Sequence, residues 1–176
     1  MTVFKHCKSW LGALAVVTTM GLVLAGCGAI REAATRDKVL REEMKQFTYA
    51  APIEKVWPEA KVMFAQRGMD VTEDTQDRGT GAFLFTTRWQ VVQRSGSSTV
   101  ERHRYAVRGV KLDGGSQIEI TKITQHMFSI DESWRDVHSS RDSRMELELV
   151  KRVEPGRAQE ISAKAAAAGQ EARKGE

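Results

Sequence analysis

The sequence predicts an α+β fold in which a twisted antiparallel sheet is packed by helices, in the order β-α-β-β-β-β-α-α. Three observations carry this. Ile53, Val56, Trp57, Ala60, Met63 and Phe64 recur at helical spacing and form one apolar stripe. Asp113-Gly114-Gly115 separates two alternating runs, which is the signature of a hairpin. Met145, Leu149, Val150 and Val153 repeat the helical spacing near the other end. An antiparallel sheet has an apolar face to cover, and these two helices are the available lids.

The elements follow in order. Residues 28–45 are rich in Ala, Arg, Glu and Lys, with Ile30, Ala33, Ala34, Leu40 and Met44 as a loose stripe. They read as a short helical tether or a charged flexible linker. Phe47 and Tyr49 alternate with polar neighbours and suggest a short strand, which Pro52 stops. The helix of Trp57 follows. Pro58 predicts a kink or a restart one turn in, and Gly68 predicts its C-cap. Residues 69–73 suggest a short strand. Residues 82–93 read as one long strand with Phe83, Phe85, Thr87, Trp89 and Val91 on one face. Residues 94–98 form a turn or loop. Two strands, 100–112 and 117–124, make the hairpin. Residues 129–138 read as a polar connection carrying Trp134. A helix starts near Ser139 or Ser140, capped by serine, and runs to about Val153. Pro155 opens a last helical segment whose end frays.

The chain has 176 residues, with 27 Lys and Arg against 23 Asp and Glu. Without Lys5 and Lys8, which lie in the N-terminal segment, the count is 25 against 23, a formal +2. That balance argues against a nucleic-acid partner. The two cysteines, Cys7 and Cys27, are both near the N-terminus.

The first ten residues are short and positive. Residues 11–24 then run apolar, broken only by Thr18 and Thr19. This is the length of a signal-peptide core and short of the roughly 20 residues of a spanning helix. The run closes on Leu24-Ala25-Gly26-Cys27, which resembles the lipobox of bacterial lipoproteins. The resemblance implies a thioether-linked lipid on Cys27, cleavage before it through the small Ala25 and Gly26, and a chain whose partner is the membrane. Two or three acyl chains suffice for stable anchoring, whereas one binds only marginally. Gly28 stands where an Asp favours inner-membrane retention in enterobacterial lipoproteins, so the resemblance implies an outer-membrane protein facing the periplasm.

A second resemblance covers roughly residues 44–153. Tyr49-Ala50-Ala51-Pro52-Ile53-Glu54-Lys55-Val56-Trp57-Pro58-Glu59-Ala60, then Gly68, then Thr86-Thr87-Arg88-Trp89, is similar to the helix-grip domains of BamC-like outer-membrane lipoproteins. It implies a helix gripping a twisted antiparallel sheet and an accessory role in outer-membrane assembly. Those relatives carry two such domains and a long N-terminal stretch; the expected organisation here is a signal peptide (1–26), a lipidated cysteine and tether (27–45), one domain (46–154) and a C-terminal helix with a frayed tail (155–176).

No catalytic motif accompanies this pattern. His103, His126 and His138 have no metal-ligand spacing, so no metal and no cofactor is expected. No serine lies in Gly-x-Ser-x-Gly. Asp131, Glu132 and Asp136 cluster near Trp134, where paired carboxylates can do acid–base work, but a solvated loop with one anchoring aromatic is the favoured account. Arg102, Arg104 and Arg108 share strand parity, with Arg88 on a neighbouring strand. They form a candidate binding face for anionic lipid, lipopolysaccharide or an acidic partner; Glu101, Glu119 and Asp113 lie near enough to neutralise parts of it.

The expected function is therefore a membrane-anchored, periplasm-facing lipoprotein, not an enzyme, with a binding or scaffold domain for an envelope protein. The alternative is a lipoprotein that binds a small apolar ligand between helix and sheet. Trp57, Phe64, Phe83, Phe85 and Trp89 discriminate: filling that space they leave no pocket, and lining it they make one.

Overall fold

The computed structural model describes residues 10–77, 80–93, 100–127 and 133–174. The N-terminal block with Lys5, Cys7 and Lys8, the loop at 94–98, and Ser129, Asp131 and Glu132 lie outside the described residues. The chain divides into two compact units, Met1–Leu40 with Ser162–Glu176, and Arg41–Ile161. The first holds most of α1 (Trp10–Gln46) and the end of α4 (Pro155–Lys174). There Arg36 and Arg173 both meet the Glu32 carboxylate, at 3.1 and 3.5 Å. Among the described residues no helix is long and apolar enough to cross a membrane.

The second unit is α+β, as the sequence predicts. Its six strands are β1 (Val71–Gln76), β2 (Phe83–Thr87), β3 (Gln90–Gln93), β4 (Val100–Leu112), β5 (Gly115–Met127) and β6 (Trp134–Arg141). They form one open antiparallel sheet, β1-β2-β4-β5-β6, with β3 also on β4. α2 (Ile53–Gln66) and α3 (Ser143–Val153) pack on one face.

The stripe on α2 is buried in full: Ile53, Val56, Trp57, Ala60, Met63 and Phe64. The helix runs unbroken through Pro58. It ends in a Schellman motif, with Met69 N–H donating to Phe64 O (3.0 Å) and Gly68 N–H to Ala65 O (2.9 Å). Gly68 has φ +69°, a conformation glycine adopts without a Cβ penalty.

Beneath the helices lie Phe85 and Thr87 of β2, Tyr105 and Val107 of β4, and Ile118 and Ile120 of β5. Trp57 meets Phe83 and Phe85 at ring-centroid distances of 5.5 and 4.9 Å. Phe64 meets Phe85 and Tyr105 at 5.6 and 5.1 Å. These rings occupy the layer between α2 and the sheet.

Five sequence expectations need correction. The strand at Phe47 and Tyr49 is a single bridge, Tyr49 to Ser116. Pro52 leaves no room to extend it. Residues 28–45 are helical, as the first of their two readings has it, and the flexible-linker alternative falls, because they belong to the continuous helix α1. The long strand at 82–93 is two strands. Phe85 pairs with Val107 in β2, but Gln90 pairs with His103 in β3, so one extra residue is accommodated at Arg88–Trp89. A slip of one residue exchanges faces. Trp89 and Val91 therefore leave the core face that Phe83, Phe85 and Thr87 keep. The connection expected at 129–138 contains most of β6, which pairs with β5 along its length. The helix expected from 139 or 140 starts at Ser143. Asp142 is its N-cap, accepting from Met145 N–H at 3.1 Å.

Candidate functional site

β4 and β5 are 13 residues each, and the helices cover only the half that carries Tyr105, Val107, Ile118 and Ile120. The other half projects as an arm made of β3, residues 100–104, residues 123–127 and β6. At roughly 3.3 Å per residue, five residues extend the arm by about 16 Å. Neither of its faces contains a fully buried side chain among the described residues.

On one face of this arm four side chains stack in a row. The Arg104 guanidinium lies 4.7 Å from the Trp89 ring. Arg102 lies 4.5 Å from Trp89 and 3.9 Å from Trp134. The ladder runs Arg104, Trp89, Arg102, Trp134, and ties β4 to β6 and to the kink before β3. Three local features build it. Alternation on β4 puts Arg102 and Arg104 on one side. The slip at Arg88–Trp89 turns Trp89 to that side. The register Met127–Trp134 brings Trp134 across from β6.

Side-chain hydrogen bonds fix Arg102 further. Its Nε donates to Gln125 Oε1 at 2.8 Å, and Gln125 Nε2 donates to Asp136 Oδ1 at 2.8 Å. Burial, and then the neighbouring Arg104, lower the Arg102 pKa, against the opposing pull of Asp136. Arg104 Nε is buried and has no hydrogen-bond partner among the described residues.

Of the four candidate arginines, Arg102, Arg104 and Arg108 do share a face, and the structure divides them. Arg108 is exposed and stands directly opposite Glu119. With Glu73 it borders a shallow depression of about 380 Å³ on the same face, floored by Leu84, Ala106 and Thr121. Arg88 is exposed in the kink, its backbone N–H donating to Asp70 O at 2.8 Å. The sequence put Trp134 beside the acidic cluster and Trp89 in the helix–sheet space, and joined neither to the arginines. Trp89 had the parity of a core residue, and Trp134 sat in a segment without alternation.

The opposite face of the arm holds the histidines. His126 Nε2 lies 3.5 Å from Glu101 Oε2. Burial, then Lys122, lower the His103 pKa. His138 is exposed, opposite Thr124. Among the described residues no group of three or more His, Cys, Asp or Glu could hold a metal. Asp136 is engaged with Gln125, while Asp131 and Glu132 lie outside the described residues.

Leu24, Ala25, Gly26 and Cys27 fall within α1. Compared with models of known protein families and with curated protein sequences, the chain matches none.

Proposed function

We propose that the protein is a lipoprotein of the bacterial envelope, held to a membrane by lipid on Cys27. In this reading it faces the periplasm, on the outer membrane, and its α+β domain is a non-catalytic docking module of helix-grip type. The tetrapeptide Leu24-Ala25-Gly26-Cys27 after a positive, then apolar, leader supports the anchor. The helix-grip reading draws support from α2 lying across β4 and β5, with Trp57 on Phe85 of β2, after the Tyr49 bridge.

The observation that carries the docking half is the Arg104–Trp89–Arg102–Trp134 ladder on an arm that no helix of its unit covers. Arg and Trp are the side chains that dominate binding energy at protein surfaces. An accessory role in outer-membrane assembly is the biological setting this reading suggests.

Fatty-acid labelling tests the anchor. The wild-type chain incorporates label and fractionates with the membrane; Cys27→Ser does neither, because a hydroxyl cannot become the thioether sulfur. Labelled Cys27→Ser protein would overturn the reading. Photo-crosslinking from Val91, which is 62% exposed beside the ladder, tests the docking. A discrete adduct in wild type, to lipid or to protein, that disappears in Arg102→Gln/Arg104→Gln supports it, and no adduct of either kind in any envelope fraction removes it.

A further inference from the structure

Arg102 and Arg104 are two cations side by side on β4, and among the described residues neither forms a salt bridge. Stacking covers the flat faces of a guanidinium and leaves its in-plane N–H edge outward. That edge matches the paired oxygens of a phosphate or carboxylate. The Arg102 edge is held in place by Gln125. Arg104 Nε is buried and has no acceptor among the described residues, so an anion meets the terminal nitrogens and not this one. An anion arriving here relieves the repulsion between the two arginines.

The surroundings are apolar as well as basic. Val91 and Val137 are 62% and 51% exposed, and flank the ladder on β3 and β6. Tryptophan with arginine beside exposed valines is the chemistry of the water–lipid boundary. Indole rings settle at headgroup level, and arginine keeps its charge among the phosphates. Asp136 is the only described acid in the ladder's hydrogen-bond chain.

We propose that this face of the arm is a second membrane contact, in which Arg102 and Arg104 take the phosphates of anionic phospholipid headgroups and Trp89 and Trp134 lie at the boundary. The proposal rests on the lipid anchor at Cys27. Two cations attract an anionic surface too weakly to recruit a protein from solution. They suffice to orient a chain already tethered to that surface, which is the logic of anchoring by two signals.

The test uses the lipidated protein reconstituted into vesicles with brominated acyl chains, of phosphatidylcholine alone or mixed with phosphatidylglycerol. Bromine quenches tryptophan that approaches the acyl region. Trp57, sealed in the core, provides the unquenched reference. The expected result is extra quenching in the phosphatidylglycerol vesicles, lost at high salt and lost in Arg102→Gln/Arg104→Gln. Val91→Glu gives a second route. It leaves the ladder intact, adds a negative charge to the face, and reduces the quenching even if the double variant folds poorly. Equal quenching in both vesicle types, or none in either, overturns the proposal. So does inorganic phosphate that shifts the tryptophan emission as far as the vesicles do, which indicates a soluble anion site. A protein adduct at Val91 that blocks vesicle quenching in wild type indicates a protein partner and also overturns it. Mass spectrometry of the same sample reports the lipid on Cys27. An unmodified Cys27 removes the anchor and this proposal with it, whereas a lipidated protein without quenching removes this proposal alone.

Discussion

Gly109 of β4 faces the Trp57 ring so closely that a Cβ built on it lies 2.9 Å from Trp57 Cζ3. The same atom would lie 2.9 Å from Ile53 Cδ1 and 3.0 Å from Ile118 Cδ1. The indole fits on the sheet because one residue beneath it has no side chain. On its polar side, Trp57 Nε1 donates to Asp74 Oδ1 at 3.3 Å, and Lys61 holds the other carboxylate oxygen at 2.8 Å.

Gly109→Ala is expected to destabilise the domain by about 1–3 kcal/mol, the usual cost of overfilling a packed core. The two isoleucine methyl ends can rotate away, but the indole ring cannot move without losing Asp74. Urea denaturation should show a lower midpoint with an unchanged slope. A midpoint equal to wild type would mean that the layer has slack.

Trp57→Ala removes the ring that Phe83 and Phe85 pack against. A buried tryptophan truncated to alanine costs roughly 3–5 kcal/mol, out of about 5–15 kcal/mol for a domain. The melting temperature should fall by many degrees. Arg104→Ala, which loses one partly exposed stack, should cost no more than about 1 kcal/mol. Calorimetry of the two variants side by side checks the contrast, and overlaying melts for Trp57→Ala and wild type would take Trp57 out of the core.

Glu146 predicts a pH dependence. Only 3% exposed, it accepts Ile120 N–H at 3.0 Å and Arg141 Nε at 2.6 Å through the same oxygen. Its other oxygen has no hydrogen-bond partner among the described residues. Burial pushes its pKa from 4.5 up to about 7, against the opposing effects of the Ile120 N–H and Arg141. The folded state therefore holds a proton that the unfolded chain releases between about pH 4.5 and 7. This contribution is fully present below pH 4.5 and is lost as pH rises through 7, a change of roughly 3 kcal/mol at full size. Glu146→Gln should flatten that part of the stability–pH curve while keeping an acceptor for Ile120. A curve with the same slope in the variant would assign it to another group.

Trp89→Ala should loosen the arm and spare the core. Amide hydrogen exchange is expected to speed up in residues 90–93, 100–104 and 134–137, with the protection of Val107 and Ile120 unchanged. Faster exchange throughout the sheet would mean that the ladder supports the whole domain.

The covered half of the sheet was readable from sequence because burial there imposes a period. Every residue of the Ile53–Phe64 stripe lies where its spacing put it, and the Asp113-Gly114 turn joins the strands it marks. The arm was opaque for the same physical reason in reverse. β6 carries Arg135, Asp136, His138, Ser139 and Ser140 with solvent on both sides, so nothing selects alternation. The one-residue slip at Arg88–Trp89 has no glycine to mark it, and parity counted through it assigns Trp89 to the wrong face. The ladder depends on that slip, so its tryptophans could not be joined to its arginines without the strand register.

The slip also separates what selection can act on. Past it, side chains on the ladder face no longer meet Trp57, Phe64 or the lids, and residues without shared partners contribute nearly independently. Substitutions at Trp89, Val91, Arg102 or Trp134 can therefore rework that surface at little cost to folding. Descendants of this chain are free to diversify their arms while keeping one core, and a designer can rebuild the arm's surface without repacking anything beneath α2.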